Sequence, residues 1–339
     1  MNGFDIPVTL FFFRREDTIL RIIERIAHVR PNKLYLICDG GRTEKEHKEV
    51  LKCRQAVEKA ITWDCEIIRN YSDTNRGVYA SIGLGAQWVF TMEEKAIFLE
   101  DDNLPEITFF RYCKEMLERY KDDTRILWIC GTNYLQKYDP EDGASYVFTK
   151  HLMPCGWASW SYKFIAQYDG ELKLARDSWI MKRLKHEYEN KSLYRQQRYN
   201  ILGAIDKLDN ARNRVSWDYQ MAFSVRINGV YGISPKVNLI ENIGVDKRST
   251  HGGNSYRKVM TRRFCGIKSY PLEFPLLHPK CILQDRLYEK KVGKIILIPL
   301  PNRIVLNLIR VVKPLFRVGK YESFSQAMKR RLNKLKGGS

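Results

Sequence analysis

Residues 95–103 read Lys-Ala-Ile-Phe-Leu-Glu-Asp-Asp-Asn, an apolar run that ends in three consecutive acids, Glu100, Asp101 and Asp102. The apolar part, Ala96 to Leu99, has the continuous hydrophobicity of a strand that is buried on both faces. Three adjacent carboxylates repel one another and gain nothing from packing, so their position after a buried strand favours a role in binding a hard divalent cation. An acidic turn that stabilises the start of the next helix explains the same residues without a ligand.

The sequence on both sides of this stretch alternates short apolar runs with segments whose apolar residues recur at helical spacing. The apolar runs lie at residues 6–13, 34–38, 65–69 and 125–130, and the helical patterns at residues 17–29, 43–60, 79–90 and 108–120. Such alternation predicts an α/β fold with a mainly parallel sheet covered by helices on both faces. Further along, the pattern predicts short strands and loops at residues 134–160, polar helices at residues 171–212 and a short strand pair at residues 230–240.

Polar residues that directly follow the predicted strands are the first candidates for a ligand site. Open parallel sheets bind their ligands at the carboxyl ends of the strands. Arg14 follows the first strand, Asp39 follows the second, and Arg76 lies in the segment after the third. These side chains and the acids at residues 100–102 are therefore expected at one edge of the sheet.

Composition indicates a folded protein with reduced thiols. The chain has 339 residues, of which 44% are hydrophobic, and this is ample for a packed core. Its eight cysteines form no Cys-x-x-Cys pair, and several lie in apolar runs, which is typical of buried thiols in a cytosolic protein rather than of a zinc site or a disulfide framework. The first residues lack a basic segment followed by an apolar one, so secretion is not expected.

The positive charge is concentrated at the carboxyl-terminal end. The formal net charge is +19, and residues 286–339 contain fourteen Lys and Arg against Glu289 and Glu322. Pro299, Pro301 and charged residues interrupt the apolar runs of this segment, so it contains no uninterrupted span of about 18 apolar residues. We expect a basic, amphipathic helical tail that binds an anionic membrane surface. A helix packed on the preceding domain or a dimer contact is the alternative.

Ile97-Phe-Leu-Glu-Asp-Asp102, followed by Phe109-Phe110, resembles the acidic metal motif of GT-A glycosyltransferases. The resemblance is strongest to the N-acetylglucosaminyltransferase I-like branch and its bacterial nucleotide-diphospho-sugar transferase relatives. Similar segments occur in the same order at residues 7–14, 75–80, 156–160, 217–220 and 235–244, so the resemblance covers residues 6 to 251. It implies the GT-A (Rossmann-like) fold, with a mixed, mainly parallel sheet flanked by helices. The implied domain is residues 1–285, with a nucleotide-sugar half at 1–133 and an acceptor half at 134–285.

The resemblance also implies roles for individual residues at the donor site. Asp102 would bind the Mn²⁺ or Mg²⁺ that bridges the diphosphate, while Glu100 and Asp101 would hold the ribose, the sugar or water ligands. Arg14 and Asp39 would frame the nucleobase.

Three further residues have weaker assignments. Arg76 would contact the base or a phosphate. His251 would add a metal or phosphate contact, although a histidine beside Gly252-Gly253 is also typical of a surface loop. Trp157, in Gly156-Trp-Ala-Ser-Trp160, would stack on the sugar as part of a lid, and a loop at the edge of the core explains it equally well.

Asp218 is the candidate catalytic base. An inverting transfer needs a carboxylate that takes the proton from the acceptor hydroxyl, and Trp217 and Tyr219 place apolar surface on either side of this one. The alternative is that Asp218 only caps the helix that follows it. A retaining mechanism stays open.

The resulting hypothesis is a metal-dependent, inverting glycosyltransferase of bacterial surface polysaccharide assembly. It would transfer sugar from a UDP-sugar donor to a glycan or lipid-linked acceptor, in the cytoplasm and peripherally bound to the inner face of the cell membrane. A sugar-phosphate nucleotidyltransferase is the first alternative, although the segment Phe11 to Glu16 lacks the glycines of a triphosphate-binding loop. A non-catalytic nucleic-acid-binding protein is the second. The segregation of charge into an aliphatic tail argues against a nucleic-acid partner.

Overall fold

The computed structural model describes residues 3–210, 215–246, 255–325, 327, 328 and 331. Contacts within the chain define two compact units, Met1–Ile295 and Ile296–Ser339. The charge pattern placed the boundary ten residues earlier, after residue 285. The difference arises because Tyr288 and Glu289 are buried in the first unit, although basic residues surround them in the sequence.

The first unit is built on a mixed sheet. Its strands and those of a small second sheet are, in chain order, β1 (Val8–Phe12), β2 (Lys33–Cys38), β3 (Glu66–Tyr71), β4 (Lys95–Glu100), β5 (Asn103–Pro105), β6 (Ile126–Cys130), β7 (Tyr146–Thr149), β8 (Trp157–Trp160), β9 (Tyr231–Pro235) and β10 (Ile240–Asn242). The order in the eight-stranded sheet of the described residues is β3-β2-β1-β4-β8-β6-β9-β7. Within this eight-stranded sheet, all strands except β7 and β8 run in one direction. The expected mixed, mainly parallel sheet is confirmed.

Helices flank this sheet. They are α1 (Glu16–Val29), α2 (Glu44–Ala60), α3 (Gly85–Val89), α4 (Thr108–Arg119), α5 (Ser161–Gln167), α6 (Ser178–Arg183), α7 (Lys191–Asp209), α8 (Asp218–Ile227), α9 (Val259–Phe264) and α10 (Arg286–Ile296). A further helix, α11 (Leu300–Val312), belongs to the second unit. A π-helical turn, Tyr79–Leu84, precedes α3. The helical spacing of Ile19, Ile22 and Ile26 puts them on one side of α1, where all three are fully buried against the sheet.

Two predictions on local structure need correction. The segment at residues 230–240 does not form a strand pair, because β9 pairs with β6 and β7 whereas β10 pairs with β5. The segment Gly156–Trp160 is neither a lid nor a loop at the edge of the core, because β8 lies inside the sheet between β4 and β6.

A buried ion pair explains why α10 belongs to the first unit. The carboxylate of Glu289 accepts a hydrogen bond from Arg226 on α8 at 3.0 Å and others from the Thr149 hydroxyl and the Lys150 amide. Burial alone would raise the pKa of Glu289, but His151, Arg226 and these hydrogen bonds lower it to about 2. The pair therefore holds α10 to β7 and α8 through a carboxylate that stays ionised.

We predict that Glu289→Gln lowers the free energy of unfolding by about 3 kcal/mol, because it leaves the Arg226 charge buried without its partner. Glu118→Gln is the matched control, since Glu118 is an exposed helical glutamate that pairs with Lys121 at the surface, and its cost should stay below about 0.5 kcal/mol. Chemical denaturation of both variants and the parent protein measures the difference.

The sign of the pH dependence follows from the lowered pKa. The contribution of Glu289 is complete above the ordinary value of 4.5 and is lost as the pH falls toward about 2. The deficit of Glu289→Gln should therefore be the same at pH 7.5 and pH 5.5. Equal stabilities of the two variants would show that the buried pair does not hold α10.

Candidate functional site

The candidate site lies where the strand order of the main sheet reverses. The chain builds β1, β2 and β3 outward in one direction and then places β4 on the other side of β1. A reversal of this kind leaves a crevice at the carboxyl ends of the two central strands, and ligands bind there in open α/β sheets. Phe13 to Arg15 follow β1 at this point, Glu100 is the last residue of β4, and Asp101 and Asp102 follow it. The acids predicted from the sequence are thus at the expected edge.

Asp102 is held by partners on both sides. Its Oδ2 accepts a hydrogen bond from Nη1 of Arg15 at 2.9 Å, and its Oδ1 accepts from the side-chain amides of Asn103 at 2.7 Å and Asn242 at 3.3 Å. β10 pairs with β5, with Asn242 opposite Asn103. The small second sheet therefore fixes the orientation of the Asp102 carboxylate.

Asp101 turns toward the loop after β1. Its Oδ2 accepts the backbone N–H of Phe13 at 3.1 Å, and its Oδ1 lies 3.6 Å from Nη1 of Arg15. Burial raises the pKa of Asp101 to about 7 against the opposing effect of Arg15. One guanidinium thus faces two carboxylates.

Glu100 and Asp218 complete the acidic cluster. Burial raises the pKa of Glu100 well above its ordinary value, and the charges of Asp102, Asp101 and Asp218 raise it further. Asp218 is 118 residues away in the sequence, yet α8 brings it within electrostatic reach of Glu100. We call Glu100, Asp101, Asp102 and Asp218 the acidic cluster.

Asp218 does not act as the cap residue of α8. The helix begins at Asp218 itself, with Trp217 in the cap position and no side-chain cap bond from it. The hydroxyl of Ser216 donates to Oδ1 of Asp218 and accepts the N–H of Tyr219 at 3.4 Å. Ser216 therefore orients the carboxylate of the candidate base.

Arg15 is the site residue that the sequence analysis missed. It is 6% exposed, and besides Asp101 and Asp102 its guanidinium approaches the Gly244 carbonyl at 3.4 Å. Arg14, which the sequence analysis selected instead, lies against α2, with its Nη1 2.9 Å from Glu49 and 3.4 Å from Glu46. The sequence does not indicate which of two adjacent arginines points toward the acids. The direction of the backbone as it enters α1 decides this.

Asp39 and Arg76 belong to one well-connected loop. Oδ1 of Asp39 accepts the N–H groups of Gly40 and Arg76, and its Oδ2 accepts the N–H of Gly77 and the side-chain amide of Asn75. Four donors fill the acceptor positions of a carboxylate. A nucleobase N–H has to replace one of these bonds, so the structure gives Asp39 the role of ordering the loop that follows β3.

Trp157 is not available to a sugar, which corrects the prediction from the sequence. It is 1% exposed, and the rings of Phe98 and Trp128, on the two strands that flank β8, stack on it with centroid distances of 4.0 and 4.1 Å. The indole is a core side chain. The sequence around it suggested a lid because a mobile loop that stacks on sugar and a buried stack of aromatic rings contain the same residue types.

The donor set of the acidic cluster fits a divalent cation in charge and type. Carboxylate oxygens are the ligands that Mg²⁺ and Mn²⁺ prefer. Asp101, Asp102 and Asp246 all lie within 4.0 Å of the single Arg15 guanidinium, so acidic side chains outnumber the basic one here. Among the described residues no three His, Cys, Asp or Glu side chains form a ready-made ligand set. A cation here would need further ligands from a substrate, in the way that Mg²⁺ is often held by one or two carboxylates together with substrate phosphates. His251 lies outside the described residues.

Gly244 gives a geometric test of this arrangement. A methyl group at residue 244 would overlap Oδ2 of Asp102 and lie 2.7 Å from Nη1 of Arg15. We predict that Gly244→Ala lowers the free energy of unfolding by about 2 kcal/mol, because the buried pair has to separate. Gly232→Ala is the control, since its methyl group meets its nearest neighbour at an ordinary 3.5 Å, and it should change stability by less than about 1 kcal/mol.

A double-mutant cycle attributes this cost to the clash. In an Asp102→Ala background the overlapping oxygen is absent, although Cβ of residue 102, 2.8 Å from the added methyl group, remains, so the cost of Gly244→Ala should fall measurably without vanishing. An unchanged cost in that background would show that the contact of Gly244 with Asp102 is not tight in solution.

Comparisons with known proteins give no family assignment. No protein-family model matches the chain, and no curated protein sequence matches it. Similar solved structures include a UDP-glucose pyrophosphorylase complexed with UDP-glucose, at 8% identity over 70% of this chain and 94% of that chain, with a TM-score of 0.35. Others are a 4-diphosphocytidyl-2C-methyl-D-erythritol synthase from Anaerococcus prevotii (11% identity, 51% and 78% coverage, TM-score 0.32) and a mannose-1-phosphate geranyltransferase from Thermus thermophilus (11% identity, 71% and 76% coverage, TM-score 0.29). Similarity at this level carries no argument about activity, and none of these names is that of a glycosyltransferase.

Proposed function

We propose that this protein transfers a sugar from a UDP-sugar to a hydroxyl of a glycan or lipid-linked acceptor, as in the assembly of a bacterial surface polysaccharide. The observation that supports the proposal is the acidic end of β4 at the reversal point of the sheet, where Asp101 and Asp102 share the buried Arg15 and Asp218 interacts electrostatically with Glu100. Packing alone gives no reason to gather these carboxylates, because each ionised carboxylate adds to the cost of burying the others. Charge brought by a ligand removes that cost.

The residues that would hold Mn²⁺ or Mg²⁺ are Asp102 and its neighbours Glu100 and Asp101. When bound, the cation supplies positive charge to the diphosphate that leaves the sugar. Arg15 contacts both Asp101 and Asp102 and orients their carboxylates. Asp218, oriented by Ser216, takes the proton from the acceptor hydroxyl as that oxygen attacks the anomeric carbon from the face opposite the diphosphate.

Sugar-phosphate nucleotidyl transfer is the second candidate. The name of the similar UDP-glucose pyrophosphorylase agrees better with this candidate, but that similarity has no weight at a TM-score of 0.35. A triphosphate needs backbone N–H groups from a glycine-rich loop. Only Phe13, Arg14 and Arg15 connect β1 to α1, and the N–H of Phe13 already donates to Asp101. The short connection therefore favours glycosyl transfer.

Binding of the donor tests the acidic cluster. We expect a panel of UDP-sugars to raise the melting temperature of the protein in the presence of Mn²⁺ and not in the presence of EDTA. Asp102→Asn should weaken UDP-sugar binding at least about tenfold, because it removes the charge that attracts the cation. Asp209→Asn is the control, since Asp209 is a surface residue paired with Arg176. Equal donor affinity with and without Mn²⁺ would contradict the role of Asp102.

The identity of the product separates the two candidate reactions. Incubation with a UDP-sugar should release UDP and free sugar slowly, with water as the acceptor, whereas a nucleotidyltransferase releases pyrophosphate from UTP and a sugar phosphate. Pyrophosphate formation without UDP release would replace our proposal by the second candidate.

Asp218→Asn tests the catalytic base. We predict that this variant binds UDP-sugar with the affinity of the parent protein and transfers sugar about 10²- to 10⁴-fold more slowly, because the amide cannot accept the proton. Asp209→Asn should transfer at the parental rate. A rate loss of less than tenfold in Asp218→Asn would assign the base to another group.

A further inference from the structure

Helix α11 exposes a continuous apolar surface. Leu308 is 62% exposed and Val311 75% exposed, and Leu315, just after the helix, is 80% exposed. No residue of α11 is buried. Exposed apolar side chains that occur singly are ordinary, but a contiguous set on one helix marks a surface that contacts something else.

The exposed apolar residues share one side of the helix. At 3.6 residues per turn, Leu300, Ile304, Leu308 and Val311 fall on one side, and Val305, Ile309 and Val312 extend it to about half of the circumference. The opposite side is formed by Asn302, Arg303, Leu306, Asn307 and Arg310. We call the first group the apolar face of α11 and the second its polar face. A division of this kind is typical of a helix that lies at an interface between water and an apolar phase.

The second unit is strongly basic. Residues 296–339 contain ten Lys and Arg and one acid, Glu322, which gives a net charge of +9. Arg303 and Arg310 lie on the polar face of α11, and Arg317 and Lys320 are exposed shortly after the helix. An apolar face bordered by positive charge is complementary to the surface of a bilayer that contains anionic lipids.

We propose that α11 binds in the plane of an anionic membrane surface, with its apolar face in the acyl boundary and its arginines at the lipid phosphates. No single helix of the described residues is long and apolar enough to cross a membrane, although Arg286–Ile296 and Leu300–Phe316 pass as a bent pair by length and composition alone. Arg303 and Arg310 fall inside that pair, and burying them in the hydrocarbon is costly, whereas at the surface they contact phosphates. An orientation in the plane of the surface places the apolar side chains in the acyl boundary and the arginines at the phosphates.

Charge argues against the other occupants of this face. A second copy of the chain bound through α11 would bring two units of charge +9 together, and this repulsion opposes association. A nucleic acid would use the basic residues but would leave Leu308 and Val311 in water. An anionic bilayer is the partner that uses the apolar face and the charge together.

Flotation of the full-length protein with lipid vesicles tests the proposal. We expect binding to vesicles of phosphatidylcholine with 30% phosphatidylglycerol, release as the salt concentration rises, and at least about tenfold weaker binding to phosphatidylcholine alone. Leu308→Asn should weaken binding to the anionic vesicles about tenfold, because a leucine on the apolar face no longer enters the acyl boundary. Leu306→Asn is the matched control, since it makes the same substitution two residues away on the polar face, and it should bind like the parent protein.

Other outcomes would overturn the proposal. No flotation with either vesicle, or equal loss in the two leucine variants, would show that the apolar face does not contact lipid. Retention on the vesicles after alkaline carbonate extraction would show insertion by the bent pair. A concentration-dependent dimer in lipid-free buffer that Leu308→Asn abolishes would identify a second copy as the occupant. A thermal melt of each variant confirms that it is folded, and UDP-sugar binding in solution tests the proposed function separately.

Discussion

The electrostatic balance at the carboxyl end of β4 is the constraint on which the site depends. Asp101 and Asp102 face one buried guanidinium, and Glu100 and Asp218 add negative charge to the same place. Burial raises the energy of every ionised form, so the cluster is stable only with protons or added positive charge. A cation or a basic ligand bound at this place would remove that cost, which is the physical basis of our proposal. Sites that store such a cost are typical of binding and catalysis.

Asn103 connects this charge to the start of β8. Its Oδ1 accepts the N–H of Gly156 at 2.9 Å and that of Glu100 at 3.3 Å, while its side-chain amide donates to Asp102. Gly156 has φ of +63°, a conformation that glycine adopts without strain, and it leads directly into β8. One buried amide thus fixes the end of β4, the start of β8 and the orientation of Asp102. A small displacement of β8 would move the carboxylate, which ties the packing of the core to the chemistry of the site.

Periodicity and position predicted most of the fold, and side-chain direction explains most of what they missed. The isoleucines of α1 have one arrangement compatible with their helical spacing, so the helices and the mainly parallel sheet followed from the sequence. The acids at residues 100–102 lie at the carboxyl end of β4, where the pattern placed them. Arg15 was missed because neighbouring residues at a strand-to-helix turn point in different directions, and no pattern distinguishes it from Arg14. Trp157 was misassigned because the antiparallel insertion of β8 between β4 and β6 is a long-range pairing with no local signal. The burial of Glu289 in the first unit was missed for the same reason, because its partner Arg226 is distant in the sequence.

The distribution of charge over the first unit completes the physical argument for an anionic ligand. Of the net charge of +19, the second unit carries +9, so residues 1–295 carry +10 although the acidic cluster lies among them. At physiological salt, dissolved ions screen the field of an individual charge beyond about 8 Å. The net positive charge of residues 1–295 would attract an anion over distance, whereas the carboxylates at the end of β4 would repel it at close range. An anion that carries its own cation would satisfy both conditions. This is why our proposal names a metal-bound nucleotide diphosphate as the ligand.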